Sequence, residues 1–319
     1  KSIEIFSTWQ EKYGDDIGWY QGGYTFVAYR EREERILKGL IETQQQYGLN
    51  IRWLDKDELL ERVPALNPVG LRGGTFSPGD GHASPLLALH AFYNRAKKLG
   101  AEFHFNEPVT DILVERRRVR GVQTPQGTYG TDFVINAAGA WARPVAQMAG
   151  LDVPVTPDCH EAGITEPVEH FLDPLVVDIR PTENSANCYF YQHVTGQVFL
   201  CLTPSPSIWG EDTRETSTFL PLISRRAIEV MPCLKNLRVR RTWRGLYPMT
   251  PDGLPIVGPV RELEGYINAV GMCGQGFMLG PGLGVYLTQL IQGTLDEEGR
   301  AVLEGMTLYR DFEAHEKLK

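Results

Sequence analysis

Gly265-Tyr266-Ile267-Asn268-Ala269-Val270-Gly271-Met272-Cys273-Gly274-Gln275-Gly276-Phe277-Met278-Leu279-Gly280-Pro281-Gly282-Leu283-Gly284 is the stretch whose reading decides how this chain folds. It reads as a buried strand at Gly265–Val270, a glycine-rich loop, and a helix at Gly282–Gln292 whose stripe is Leu283, Tyr286, Leu287, Leu290 and Ile291. A strand leading through such a loop into a helix is the building unit of an α/β sheet. Amide N–H groups at a helix start attract anions, and glycines let a ligand come close to the backbone. On spacing alone, a tight packing contact between helix and strand explains the glycines equally well. Gly280-Pro281-Gly282-Leu283-Gly284 imitates a dinucleotide fingerprint, but the G-x-G-x-x-G spacing is absent. Pro281 also removes a donor, and no acidic residue follows at ribose distance.

Upstream, Phe133-Val134-Ile135-Asn136-Ala137-Ala138-Gly139 is an unbroken apolar run ending in small residues. The lack of alternation predicts a strand buried on both faces of a parallel sheet. Val109–Val114 and Gly121–Thr124 read as a small meander closed by Thr131–Asn136, with Arg116–Arg118 and Arg120 at a solvated hairpin tip. Ala101–Phe105 reads as a strand. Ser84 is the expected N-cap of a helix with Pro85 at its first position and a stripe of Leu87, Ala91, Tyr93 and Ala96. Glu31–Tyr47 has helical spacing, and Asp55 with Glu58 forms a capping box for Lys56–Arg62. Gly18–Tyr29 and Ile51–Leu54 read as strands. From Leu151 the texture changes to short strands at Pro154–Glu166, Leu175–Ile179, Cys188–Gln192, Gln197–Thr203 and Leu237–Leu246, with a helix at Leu220–Met231. These predict an antiparallel sheet inserted into the first domain.

Apolar residues make up 42% of the chain and charged residues 23%, the balance of a globular protein with a real core. The net charge of −8 argues against nucleic acid or an anionic membrane as the main partner. Cys159, Cys188, Cys201, Cys233 and Cys273 are scattered and include no CxxC pair. They predict no metal site and a reduced, cytoplasmic protein. No apolar run reaches the roughly 18 residues of a transmembrane helix. A chain that begins at Lys1 reads as truncated or processed at its N-terminus.

Four segments, taken in order, resemble one family. They are Asp80-Gly81-His82-Ala83-Ser84-Pro85, Val134-Ile135-Asn136-Ala137-Ala138-Gly139-Ala140-Trp141-Ala142, the run Trp243–Gly258 containing Thr250-Pro251-Asp252-Gly253, and the loop Gly271–Met278. Together they make the chain similar to the D-amino-acid oxidase superfamily, which includes sarcosine oxidase, glycine oxidase and the β subunit of L-proline dehydrogenase. The resemblance implies an α/β (mixed α+β) fold: a Rossmann-like FAD-binding domain with an inserted antiparallel-sheet substrate domain. It implies residues 76–150 and 246–294 for the first, 15–75 and 151–245 for the second, and a peripheral charged tail at 295–319. The family's opening βαβ unit, with its Gly-x-Gly-x-x-Gly, has no counterpart in Lys1–Gly14. The ADP half of FAD is therefore expected to lose its main anchor here.

The resemblance also implies the chemistry: oxidation of a C–N bond of an amine or amino acid, with a hydride leaving the substrate carbon for flavin N5. Val109, Ala137, Ala138, Gly139, Trp141, Gly274, Gln275, Gly276, Phe277 and Met278 are the implied FAD contacts. The family's carboxylate-binding arginine falls where this chain has Tyr247, which shifts the likeness toward the sarcosine oxidase and proline dehydrogenase branch. Arg244 and Arg241 are alternatives for that clamp, with outward-facing strand residues as the plain reading of both. His160 and Tyr191 complete the candidate catalytic set with Tyr247 and Arg244, and Tyr189, Tyr191 and His193 share one strand face by period two. His82 reads as a structural loop histidine. Expected partners are a small amine or amino-acid substrate and either a partner subunit or a second copy. Two alternatives stay open: a flavin-binding subunit of a heteromeric dehydrogenase, and an inactive, cofactor-free fragment.

Overall fold

The computed structural model describes residues 1–313, so the end of the expected tail, 314–319, lies outside them. In chain order the first elements are α1 (Ser2–Ser7), α2 (Trp9–Tyr13), β1 (Tyr24–Ala28), α3 (Glu31–Gln46), β2 (Arg52–Asp55), α4 (Lys56–Arg62), β3 (Gly73–Ser77) and α5 (Pro85–Lys98). Next come β4 (Asp111–Glu115), β5 (Arg118–Thr124), β6 (Gly127–Gly130), β7 (Val134–Asn136), α6 (Ala142–Met148), β8 (Thr156–Thr165), β9 (Leu175–Asp178), β10 (Ser185–Gln192) and β11 (Val198–Pro204). The last are α7 (Phe219–Val230), β12 (Val239–Met249), β13 (Ile256–Pro259), β14 (Tyr266–Val270), α8 (Gly276–Gln292) and α9 (Glu297–Gly305). Local signals set several boundaries. Asp55 and Glu58 make a reciprocal capping box on α4, and Ser84 accepts from the Leu87 amide with Pro85 at the first position of α5.

Eight strands form the large sheet, in the order β12-β8-β11-β10-β9-β1-β3-β2. All neighbours are antiparallel except β1 and β9. One face buries the main core: Val27, Leu54, Phe76, Val176, Phe190, Leu200 and Leu202 against Leu59 of α4 and Phe219, Ile223 and Val230 of α7. Each such side chain contributes about 1.5–3 kcal/mol by leaving water. Beneath α7, the Asp178 carboxylate accepts from both Arg180 and Arg226, each within 3.1 Å, which ties β9 to the helix. Strand alternation sends the other half of the side chains to the opposite face, which carries Tyr189, Tyr191, Phe199, Cys201, His160, Trp243 and Tyr247.

The smaller sheet has the order β13-β14-β7, with β14 and β7 parallel and Asn268 opposite Asn136. Leu283, Tyr286 and Leu287 of α8 cover Val257 and Ile267 on one side, and Ala142 and Ala146 of α6 cover Ile256 and Val270 on the other. Because β7 and β14 run the same way, Ala137–Gly139 and Gly271–Gly276 leave the sheet at one edge, the carboxyl edge where α/β sheets bind ligands.

Several expectations are corrected. The third strand of the meander is β6, while Thr131–Asn136 supplies β7 to the other sheet. Among the described residues that strand lies at its sheet's edge, with Phe133 and Ile135 exposed. Among the described residues Ala101–Phe105 has no strand partner; Phe103 instead packs edge-on against Tyr93 of α5, with ring centroids 4.6 Å apart. The stripe of α5 is rotated, with Ala88 and Ala91 buried while Leu86, Leu87 and Leu89 face outward. Helix α8 begins at Gly276 rather than Gly282, with Pro281 inside it, and the Gly282 amide donates to Ser2 Oγ of α1 at 3.0 Å. The stretch after Leu295 is not peripheral over its described part. Leu303 is buried, and Arg310 pairs with the fully buried Asp252 at 2.7 Å. No described helix is long and apolar enough to cross a membrane, and all five cysteines are free.

Candidate active site

β8 and β12 pair so that His160 lies opposite Gly245 and Asp158 opposite Tyr247. Being two apart on one strand, Asp158 and His160 share a face, and His160 Nε2 stands 3.2 Å from Asp158 Oδ2. Asp158 is buried and its Oδ1 accepts the Ile208 amide at 2.7 Å. Burial alone would raise its proton affinity, but hydrogen bonds from His160, Ile208 and Ser207 outweigh it and hold the carboxyl below its ordinary range. An ionised carboxylate only accepts, so the proton of neutral His160 sits on Nε2 and the Nδ1 lone pair is left available. The imidazole stacks on the Tyr247 ring, 3.8 Å away at 9°. Tyr247 and Tyr189 bring their hydroxyls to 3.2 Å, and burial pushes both phenols upward, so both stay protonated.

The glycine-rich loop abuts this array. A Cβ added at Gly274 would stand 2.6 Å from Cε2 of Tyr247, so only glycine fits, and the Cys273 amide donates to the Pro248 carbonyl at 3.1 Å. The Cys273 thiol points away, toward the Gly271 carbonyl and Thr250. At the start of α8, Gln275 provides no side-chain cap. Among the described residues the amides of Gly276, Phe277 and Met278 have no acceptor, leaving the positive end of a 17-residue helix uncompensated. Gly139 and Gly245 face open space where a side chain would project, and the turn Gly139–Trp141 packs beside β12. Unmet donors at a helix start, flanked by side-chain-free positions, fit the ring end of FAD, which Gln275–Met278 would hold.

The structure brings His160, Tyr191 and Tyr247 to one face of the large sheet and separates Arg244 from them. Arg244 lies opposite Glu161, on the α7 side, where it donates to the Arg214 carbonyl. Ala137, Ala138 and Gly139 lie at the carboxyl edge of the small sheet, and Trp141 next to them is exposed. Val109 packs with Ile112 and Tyr266, and Phe277 stacks on Phe6 of α1 at 4.9 Å, so its side chain is occupied. Asp158 was missed, although an acid two residues before a histidine on a strand is a readable signal. His82 is buried beside Tyr191 and His193, and burial pushes its imidazole down to about 4.

A family profile described as DAO, FAD dependent oxidoreductase, matches residues 1–290. The hydrogen cyanide synthase subunit HcnC of Pseudomonas aeruginosa is 30% identical over 283 residues, covering 88% of this chain and 66% of that one. The crystal structure of L-proline dehydrogenase from P. horikoshii superposes with a TM-score of 0.89 at 32% identity, over 97% of this chain and 81% of that one. Glycine oxidase from Geobacillus kaustophilus gives a TM-score of 0.84 at 26% identity, over 97% and 81%. The chain thus spans about two thirds of the HcnC sequence.

Proposed function

The chain belongs to the DAO family of FAD-dependent oxidoreductases, and from that premise we propose that it oxidises the C–N bond of a secondary amine or amino acid, with His160 as the proton acceptor. The observation that carries the proposal is the Asp158–His160–Tyr247 array beside the glycine loop. Bound FAD would supply the acceptor for the hydride leaving the substrate carbon. An ammonium cannot release that hydride, because the nitrogen lone pair must be free to support the developing imine. His160 Nδ1 takes the ammonium proton, and Asp158 keeps the ring in the required tautomer and steadies the imidazolium. In the Tyr189–Tyr247 pair one hydroxyl donates to the other, which leaves a single O–H to donate toward the substrate's polar end, and the Tyr247 ring fixes the plane of His160. The unpaired amides at the start of α8 would favour negative charge on a bound flavin.

The test uses full-length, FAD-loaded protein mixed anaerobically with sarcosine, proline and glycine while flavin bleaching is followed. His160→Asn is expected to slow bleaching by about 100-fold or more, with flavin content unchanged. Bleaching at the wild-type rate in that variant would refute the assignment. A second reading, a flavoprotein subunit of a heteromeric dehydrogenase, draws on the likeness to a protein named as a synthase subunit. Activity of the protein expressed alone separates the two. The five free cysteines support a reducing compartment such as the cytoplasm.

A further inference from the structure

Along β12, the side chains on the His160 face are, in order, Arg241, Trp243, Gly245 and Tyr247, opposite Ile164, Ala162, His160 and Asp158. The intervening Thr242 points the other way. A Cβ at Gly163, its register partner, would touch both Thr242 Cγ2 and Phe219 of α7. Between the two ends runs an apolar trough. Its floor is made of small residues, Ala162 and Cys201. Its wall is aromatic: Trp243 meets Phe199 edge-on at 6.1 Å, and Phe199 stacks on Tyr191 at 4.9 Å and 1°. Arg241 stands at the far end, exposed, with no ion pair or hydrogen bond among the described residues. Arg244 faces α7 and Arg240 is the extra residue of the bulge, without a register partner, so Arg241 is the arginine whose pairing places it on this face.

The geometry points to an elongated substrate: we propose that the trough takes an amine or amino acid whose nitrogen lies at His160 and whose far end is a carboxylate bound by Arg241, joined by an apolar or aromatic spacer. The inference rests on the amine-oxidising reading and adds the substrate's length and charge. Arg241 is four steps along the strand from Gly245, the register partner of His160, which is roughly 13 Å. The reach of the arginine side chain shortens that gap. A small zwitterion such as sarcosine therefore cannot span it, whereas a benzyl-sized spacer ending in a carboxylate can. The aromatic wall suits such a spacer, because ring faces stack on it without requiring a buried polar partner.

The experiment compares N-(4-carboxybenzyl)glycine, N-benzylglycine and sarcosine as substrates of the full-length, FAD-loaded enzyme, reading kcat/KM from anaerobic flavin reduction. The carboxylated arm is expected to gain about tenfold over the plain benzyl arm, the effect of one charge-assisted contact. In Arg241→Gln that ratio falls to about one, and in Arg241→Glu it inverts. In Arg238→Gln, on the other side of the bulge in β12, the ratio holds. Equal use of the two benzyl substrates by the wild type overturns the proposal. So does a ratio that survives Arg241→Gln, or one that falls equally in Arg238→Gln, which would mean diffuse surface charge. If sarcosine reduces the flavin while any of these three results is found, only the elongated-substrate proposal fails. If none of the three reduces it, the amine-oxidising reading fails first.

Discussion

Acidifying the protein from about pH 7.5 to about pH 5 is expected to cost the fold about 2 kcal/mol through His82 alone. His82 is 7% exposed, wedged beside the Tyr191 and His193 rings, and neither of its nitrogens makes a well-formed hydrogen bond. Burial, with a smaller contribution from His193, pushes its imidazole from 6.5 down to about 4. In the unfolded chain the same ring takes up a proton near 6.5. The folded state therefore binds fewer protons between those two values. Its stabilisation is complete above 6.5 and is lost as the pH falls toward 4. At about pH 5 the unfolded state is favoured by a factor of roughly 30 from this group, which converts to about 2 kcal/mol. The assay is urea unfolding of the wild type and His82→Leu at both pH values. Carboxylates held below their ordinary range weaken with acid in both proteins and cancel in the comparison. The wild type should lose about 2 kcal/mol more than the variant; equal losses would refute the buried, neutral imidazole.

Other expectations follow from individual contacts. Gly274→Ala places a methyl group 2.6 Å from the Tyr247 ring and should lower stability by about 1–3 kcal/mol, seen as a lower thermal midpoint together with weaker flavin retention. Arg310→Ala leaves the Asp252 carboxylate buried and unpaired, a loss of about 3–5 kcal/mol in denaturant titration, and Asp252→Asn in the same chain should recover part of it. Leu59→Ala empties a fully buried site in the main core and should cost about 2–5 kcal/mol without altering the absorption spectrum of bound flavin.

Local signals in the sequence carried a good part of this fold. Asp55 with Glu58 and Ser84 with Pro85 are short-range devices, and each one marks its helix start in the structure. The short strands after Leu151 were readable because period two and turn residues are local as well. What was not readable depends on partners distant in sequence. Phe133–Asn136 looked doubly buried because its apolar content is high, yet it forms a sheet edge with exposed Phe133 and Ile135. Ala101–Phe105 has strand composition, but its aromatics find Tyr93 instead of a ladder. Gly276 opens α8 earlier than glycine propensity suggests, because α1 docks on that turn and Ser2 bonds to the Gly282 amide. In the candidate site, His160, Tyr191 and Tyr247 were found by resemblance and alternation. Period two counted back from Tyr247 puts Arg241 on their face and Arg244 on the other, and the bulge changes only the residues before Arg241.

The Arg310–Asp252 pair also bears on how the protein is made. Arg310 donates to both oxygens of Asp252 and to the carbonyls of Leu254 and Pro255, closing the turn between β12 and β13. During synthesis that turn is exposed to solvent until residue 310 leaves the ribosome. Asp252 until then has no cation to offset its burial, and the glycine loop that follows β14 has a loosely held foundation. The sheet face carrying His160 can form earlier, since its strands precede residue 250. Assembly of the two halves of the site thereby waits on residue 310, and a nascent chain halted before Arg310 is exposed is expected to display a folded sheet without a competent flavin loop.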